Sequence, residues 1–147
     1  AKTDDAANWL PARICGVLLT VSAFLLGLDG KGAWRIFRRD RNNHLSPNSA
    51  QTESAAAGAL GIQLGGTHVY FGEVVEKPTI GNADRPAEPE DIPRTNGMML
   101  AASGLSLLGF GLLRLVVVLL LREVKTEFAM YAIHEKGWRG SPVKCSF

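Results

Sequence analysis

The chain has 147 residues, 46% hydrophobic, 20% charged and 7% aromatic, and its 16 Lys and Arg against 14 Asp and Glu leave a formal charge of +2. That near-balance argues against a nucleic-acid binder held mainly by charge, which carries a larger basic excess on one face. Hydropathy close to neutral is an average of unlike parts, because apolar residues crowd into two blocks and charges into the stretches around them, the pattern of a membrane protein. Two cysteines, Cys15 inside an apolar run and Cys145 near the end, form no CxxC or zinc spacing and read as unpaired thiols of a reducing compartment. His44, His68 and His134 lie far apart, with no metal-ligand pair at helical spacing.

Residues 1–13 form a short juxtamembrane segment that opens with Ala1 rather than Met, and the chain is expected to be part of a longer polypeptide. Ile14–Leu28, ICGVLLTVSAFLLGL, reads as a first transmembrane helix. Its length as a helix is about 22 Å against a hydrocarbon core of roughly 30 Å, so it spans only if Leu10–Ala12 extend it while Arg13 snorkels and Trp9 sits at the interface. A signal peptide is the competing assignment, opposed by Asp4 and Asp5 and by the lack of a small-residue cleavage site. Lys31, Arg35, Arg38, Arg39 and Arg41 follow within roughly 15 residues of this block, which places residues 29–97 in the cytoplasm. Arg122, Lys125, Lys136, Arg139 and Lys144 in the tail pull the other way.

Within residues 29–97, GAWRIFRRD reads as a short amphipathic helix at the membrane interface, its basic face open to either anionic lipid or substrate. HLSPNSAQTESAAAGALG has Ser46 as a candidate N-cap, Pro47 at the first helical position, an Ala-rich run to Leu60 and a stop at Gly61. GIQLGGTHVYFGEVVEKP is a structured loop of glycine turns around short β-branched and aromatic pieces. NADRPAEPEDIPRTNG is expected to run extended along the surface as a spacer, with Glu88, Glu90 and Asp91 solvated. Met98–Leu121 then supplies 24 residues whose only charge is Arg114. At about 36 Å this block spans with tilt, Arg114 snorkelling or facing a partner helix. Gly104, Ser106, Gly109 and Gly111 suggest close helix packing. The tail, residues 122–147, is assigned no function. The expected fold is an all-α integral membrane protein, two transmembrane helices flanking a helix-and-turn cytoplasmic loop.

Chemistry concentrates in the central segment, where Arg38, Arg39, Asp40, Arg41, His44, Ser46, Asn48, Glu53, Gln63, Tyr70, Glu73, Glu76, Lys77 and Arg85 stand among glycines. Arginines and a lysine clamp phosphates, glycine turns such as Gly65–Gly66 expose backbone N–H groups to an anion, and carboxylates hold Mg²⁺ or accept a proton. GALGIQLGG lacks the lysine of a phosphate-binding loop and follows a helix. The residues by themselves define an anionic-ligand site on a membrane protein. Two other classes compete: a catalytically silent membrane scaffold whose basic helix binds anionic lipid, and a soluble helical domain with buried apolar helices, which the 24-residue block opposes.

Residues 38–81, RRDRNNHLSPNSAQTESAAAGALGIQLGGTHVYFGEVVEKPTIG, resemble the core segment of the CobD/CbiB family of cobalamin biosynthesis, with its RDxxxHxSPN, AGALGxxLGG, FGE and KPxIG elements. Residues 3–13, TDDAANWLPAR, are similar to that family's DDxxNxxPAR lead into a membrane span. The resemblance covers residues 3–121 and only the C-terminal half of such a protein. Ser49 and Ala50 stand where the family pattern usually has a glycine, and the tail is unlike the family. The resemblance implies a multi-pass enzyme of the cell (inner) membrane that joins a propionate carboxylate of adenosylcobyric acid, a corrinoid, to aminopropanol or aminopropanol phosphate in an amide bond driven by ATP with Mg²⁺. It also implies contact with the lipid bilayer and with other membrane proteins of the pathway. Arg38, Arg39 and Arg41 would take phosphate, helped by Ser46, Asn48, Gly65, Gly66, Tyr70 and Lys77. His44 or Glu53 would be the base, with Glu73 in the catalytic set and Glu73 and Glu76 as Mg²⁺ ligands. A brace for the SPN turn is the alternative role for His44.

Overall fold

A computed structural model describes residues 2–139. Its elements in chain order are α1 (Lys2–Ala7), α2 (Trp9–Leu25), α3 (Gly30–Asp40), α4 (Ser49–Leu60), β1 (Gln63–Tyr70), β2 (Glu73–Gly81) and α5 (Asp91–Arg139). Two compact units meet between Ser106 and Leu107, within α5. The first holds every other element, and the second is the remainder of α5.

In the first unit α4 is the central helix, packed by α2, by α3 and by the end of β2. Its Ala-rich sequence has high helix propensity and almost no side-chain bulk, and Ala50, Ser54, Ala55 and Ala57 are completely buried. Small residues let backbones approach closely. A Cβ on Gly58 would lie 2.5 Å from the Gly32 carbonyl oxygen and 2.8 Å from the Ile36 Cβ, so α3 crosses α4 where both present glycine. A Cβ on Gly16 of α2 would lie 2.5 Å from the Phe37 ring and 2.8 Å from the Gln51 carbonyl oxygen. Leu19 and Ala23, Ala33 and Phe37, Ala55 and Ala59, and Met98 form the resulting core.

Four sequence expectations change. The amphipathic helix at 30–40 exists, started by the Asp29 side chain accepting from the Gly32 N–H at 2.8 Å. Its apolar face is covered by protein rather than lipid, with Ile36 and Phe37 buried against α4 and α2. The first apolar helix begins at Trp9, with Arg13 over the Trp9 ring at 3.9 Å, and stops at Leu25 because Gly27, at φ 72°, closes a left-handed cap in which the Leu28 N–H reaches the Ala23 carbonyl. At 17 residues it reaches about 26 Å. Among the described residues only α5, over 91–127, is long and apolar enough to cross a membrane. The third change is at α4, whose helix starts at Ser49 with Asn48 as its cap position; the Ser46 hydroxyl instead accepts from the Asn48 N–H at 3.4 Å. The expected stop holds, with Gly61 at φ 66°.

The fourth change is of fold class: the protein is mostly helical but not all-α. Residues 63–81 form an antiparallel hairpin in which Tyr70 pairs with Glu73, Val69 with Val74 and His68 with Val75. Its two-residue turn, Phe71 at φ 51° and Gly72 at φ 88°, has positive φ at both positions, the geometry that matches strand twist. Near the base Gly65 stands opposite Pro78 and Thr79, and a Cβ there would meet the Pro78 carbonyl oxygen. Glycine at this irregularity accommodates a proline that has no N–H to pair. Only the base is buried: Ile80 packs with Ala50 and Ala57, whereas residues 73–79 are exposed.

The acidic spacer is also more than a spacer. Asp91 is buried, accepts both terminal nitrogens of Arg85, the Arg94 guanidinium at 3.0 Å and the Glu88 N–H at 3.0 Å, and so fixes the start of α5. Arg85 in turn donates its backbone N–H to Gly61 at 3.2 Å. In the second unit the side chains of Leu107–Leu121, Arg114 among them, are exposed, and a Cβ on Gly109 or Gly111 would meet nothing within 4 Å; nor would one on Gly104 in the first unit. Cys15 is a free, exposed thiol; Cys145, Lys144 and the rest of 140–147 lie outside the described residues.

Gly58→Ala should therefore destabilise the first unit by about 1–3 kcal/mol through overpacking. Gly104→Ala should be neutral or stabilising, because it gains helix propensity of about 1 kcal/mol. Denaturant unfolding in detergent, followed by helical circular dichroism, measures both. Equal effects at the two positions would refute the tight α3–α4 crossing.

Candidate functional site

The last turn of α3 carries two arginines, Arg38 and Arg39, and one acid, with Arg41 at the cap, and the acid binds Arg39. The Asp40 side chain is buried and accepts from Arg39 Nε at 2.6 Å, from Arg39 Nη2 at 2.8 Å and from the Gly81 N–H at 2.8 Å. Arg39 also donates to the Asn82 side chain at 2.9 Å and to the Gly81 carbonyl at 3.2 Å. This cluster joins the end of α3 to the end of β2. Arg39, expected to hold phosphate, thus spends most of its donors on the frame. The Arg39 hydrogen bonds are the largest cause holding the Asp40 carboxyl below the usual carboxylate range; burial opposes them and the Gly81 N–H assists.

Residues 41–48 are tied down in the same way. Asn43 donates to the Thr79 carbonyl at 3.4 Å, and the Ser46 N–H donates to His44 Nδ1 at 3.0 Å. Gln51, completely buried, donates to the carbonyls of Arg41 at 3.0 Å and Pro47 at 3.4 Å, and Asn48 donates to the Asp5 carbonyl at 3.0 Å. Asn48 Oδ1 and Gln51 Oε1 are the buried side-chain acceptors left without a partner among the described residues. His44 does brace the SPN turn. Because its Nδ1 lone pair is occupied, the proton of the neutral ring sits on Nε2, which then donates.

Arg38, Arg39, Arg41, His44, Ser46 and Asn48 lie along one run of chain from the last turn of α3 to the cap of α4, and Asn43 ties this run to Thr79, across the hairpin from Gly65. Arg38 and Arg41 are exposed, Arg41 lying over the Phe37 ring at 5.7 Å. Glu53 is half-buried on α4. Glu73 and the backbone of Tyr70 are at the far end of the hairpin, on the order of 25 Å along the strand from Gly81. Lys77 pairs with Gly66 midway. Glu73 and Glu76 are three apart on a regular stretch of strand and so face opposite sides of it. Among the described residues no three His, Cys, Asp or Glu side chains gather as metal ligands. A magnesium ion held by both glutamates does not fit this geometry; one carried by nucleotide phosphates needs a single carboxylate.

Sequence reasoning counted Asp40 among the polar residues of the central segment without giving it a role, and passed over Asn43, Gln51 and Asn82. The signal for Asp40 was present, an acid flanked by arginines at a helix end. The hairpin partners of Asn43 and Arg39 lie some forty positions away, and no local pattern announces them.

An Ala-rich central helix, apolar neighbours and a polar rim of loop and hairpin describe a mostly helical protein, in which α5 is long and apolar enough to cross a membrane. The profile of the family described as CobD/Cbib protein matches residues 1–99, and the chain belongs to that family. Relatives bearing the name cobalamin biosynthesis protein CobD include one from Listeria monocytogenes, 47% identical over 117 residues that cover 80% of this chain and 37% of the relative. Another, from Geobacter metallireducens, is 60% identical over 88 residues, 60% of this chain and 28% of the relative. A third, from Yersinia enterocolitica, is 52% identical over 118 residues, 80% of this chain and 37% of the relative. The chain therefore spans roughly a third of the length of these relatives. No solved structure matches it.

Because the folded-state pKa of Asp40 is depressed, its stabilisation is complete above the ordinary carboxylate pKa, about 4, and is lost as pH falls through the lower folded value. Asp40→Asn should cost about 2–3 kcal/mol at neutral pH, the range for hydrogen bonds to a charged group. It should also flatten the acid limb of the stability curve. Unfolding curves of both proteins from neutral to acidic pH test this, and an unchanged acid limb would contradict it.

Proposed function

We propose that this chain forms part of a multi-pass inner-membrane enzyme of cobalamin biosynthesis, with residues 29–97 on the cytoplasmic side. The reaction is amide formation between a propionate carboxylate of adenosylcobyric acid and the amine of aminopropanol or aminopropanol phosphate. One observation carries the reading: in the family-matched segment the side chains of Arg38, Glu73 and Glu76 are exposed and make no hydrogen bond or ion pair among the described residues, while Arg39, Asp40, Asn43 and Gln51 secure the frame. A tether needs no such surplus.

ATP, with Mg²⁺, supplies the activation that a free carboxylate lacks. Arg38 and Arg41 offer guanidinium forks to phosphate oxygens at the end of α3. Arg39 is a positioning residue, since it acts by holding the Asp40–Gly81 junction. His44 would donate through Nε2 to a substrate oxygen; the Glu53 carboxylate would take a proton from the ammonium, and the free amine then attacks the acyl phosphate made from ATP, its C–O bond to phosphate breaking as inorganic phosphate leaves. Gly65 and Gly66, both at positive φ near the hairpin base, would offer backbone N–H groups to an anion, with Ser46, Asn48 and Lys77 as further polar groups. Glu73 and Glu76, out on the hairpin arm, would contact the corrinoid rather than the metal of a nucleotide held at the end of α3.

The test is made in a full-length relative carrying these residues, assayed for cobinamide formation from adenosylcobyric acid. Arg38→Ala should lower kcat/KM by about two to three decades without changing unfolding, the effect of losing one clamp on developing charge. Arg39→Ala should lower activity and stability together. Near-normal turnover in Arg38→Ala, Arg41→Ala and Glu73→Gln alike would remove these residues from the site.

A further inference from the structure

The outward face of α3 is not used by the fold. Lys31, Trp34, Arg35 and Arg38 occupy an arc of about 100° on that helix, directly opposite the buried Ala33, Ile36, Phe37 and Asp40. Lys31, Arg35 and Arg38 make no ion pair among the described residues. Trp34 stands in the same row, 43% exposed and tilted against Phe37 with ring centroids 5.7 Å apart. A row of cations that serves only to be hydrated has no use for a half-exposed tryptophan.

The preceding helix has an outward stripe of a different kind. Ile14, Val17, Val21, Phe24 and Leu25 recur at helical spacing and are all exposed, opposite the buried Gly16, Leu19, Thr20 and Ala23. The two stripes meet. A Cβ on Gly30, the first residue of α3, would lie 2.3 Å from the Phe24 ring, so the basic row begins where the apolar one ends.

We infer that this face docks on a bilayer containing anionic lipid, with the α2 stripe against acyl chains, Trp34 at the interface and Lys31 and Arg35 on headgroup phosphates, Arg38 at the far end of the row being left to the proposed reaction. Apolar surface passing into a tryptophan and then a line of cations is complementary to that surface in depth as well as in charge. A nucleic acid offers the phosphates but nothing for the adjoining apolar stripe. A free anion needs convergent donors, whereas Lys31 and Arg38 are about 10 Å apart along the helix. The chain also carries in α5 a helix long and apolar enough to cross a membrane. The inference is independent of the proposed reaction.

The probe is Trp34 fluorescence in the full chain with Trp9→Phe and Trp138→Phe, reconstituted into bilayers of phosphatidylcholine with a minority of phosphatidylglycerol. Either lipid carries brominated chains in turn. Trp34 should be quenched, and phosphatidylglycerol should quench better than its share of the bilayer, a preference that disappears at high salt. Lys31→Gln and Arg35→Gln should each lower the preference about fivefold. The salt titration of the otherwise unsubstituted chain answers the same question if the variants misfold. Unquenched Trp34, equal quenching by both lipids at low salt, or loss of the preference on adding inorganic phosphate at constant ionic strength would overturn the inference, the last outcome pointing to a site for soluble anions.

Discussion

The fold depends on the thinness of α4. A helix whose buried residues are mainly alanine, serine and glycine contributes little hydrophobic area of its own, but it allows α2 and α3 to approach to backbone contact. Dispersion and area burial then come from what the neighbours insert around it, chiefly Leu19, Ile36, Phe37, Ile80 and Met98. Glycines at the crossings, Gly16, Gly32 and Gly58, are the positions at which one methyl group would separate the helices. Everything that touches α4, including the hairpin base, is placed by that close approach.

From this frame the polar rim inherits its order. Asp40 is the joint: three donors converge on one buried carboxylate, and they come from the residue beside it and from a strand end forty positions later. The 41–48 loop is tied on both sides, by Gln51 to its carbonyls and by Asn43 to the hairpin. The hairpin is held differently along its length. Its base is in the core, while beyond the Gly65 irregularity both strands are exposed, and a two-stranded ribbon is marginally stable alone in water.

The helices divide their surfaces by the same economy. α2 and α3 each turn one arc to α4 and leave the other for a different environment, apolar in one case and basic in the other. Asp91 repeats the device of Asp40 at the start of α5, a buried acid neutralised by Arg85 and Arg94 just before the apolar stretch begins. Charge in this protein is concentrated where a chain direction changes.

Sequence alone determined the elements whose signals are local. The long apolar block, the Ala-rich helix with its glycine stop, the amphipathic period at 30–40 and the basic cluster are all set by neighbours within a few residues, as propensity, capping and helical periodicity are. The family motifs were legible for the same reason, being short runs of fixed spacing. Tertiary structure decided what each face meets. The apolar side of α3 is satisfied by α4 and Gly16, not by lipid, because glycines on separate segments coincide. The 63–81 hairpin escaped because its turn is Phe-Gly rather than a familiar Asn-Gly pair, and its strands declare themselves only through pairing. Arg39 reads as a free cation in a row of arginines. Its partner Asp40 is adjacent, but what makes Asp40 a buried joint is Gly81, brought there by the return of β2 to α4, a long-range contact that no local pattern encodes.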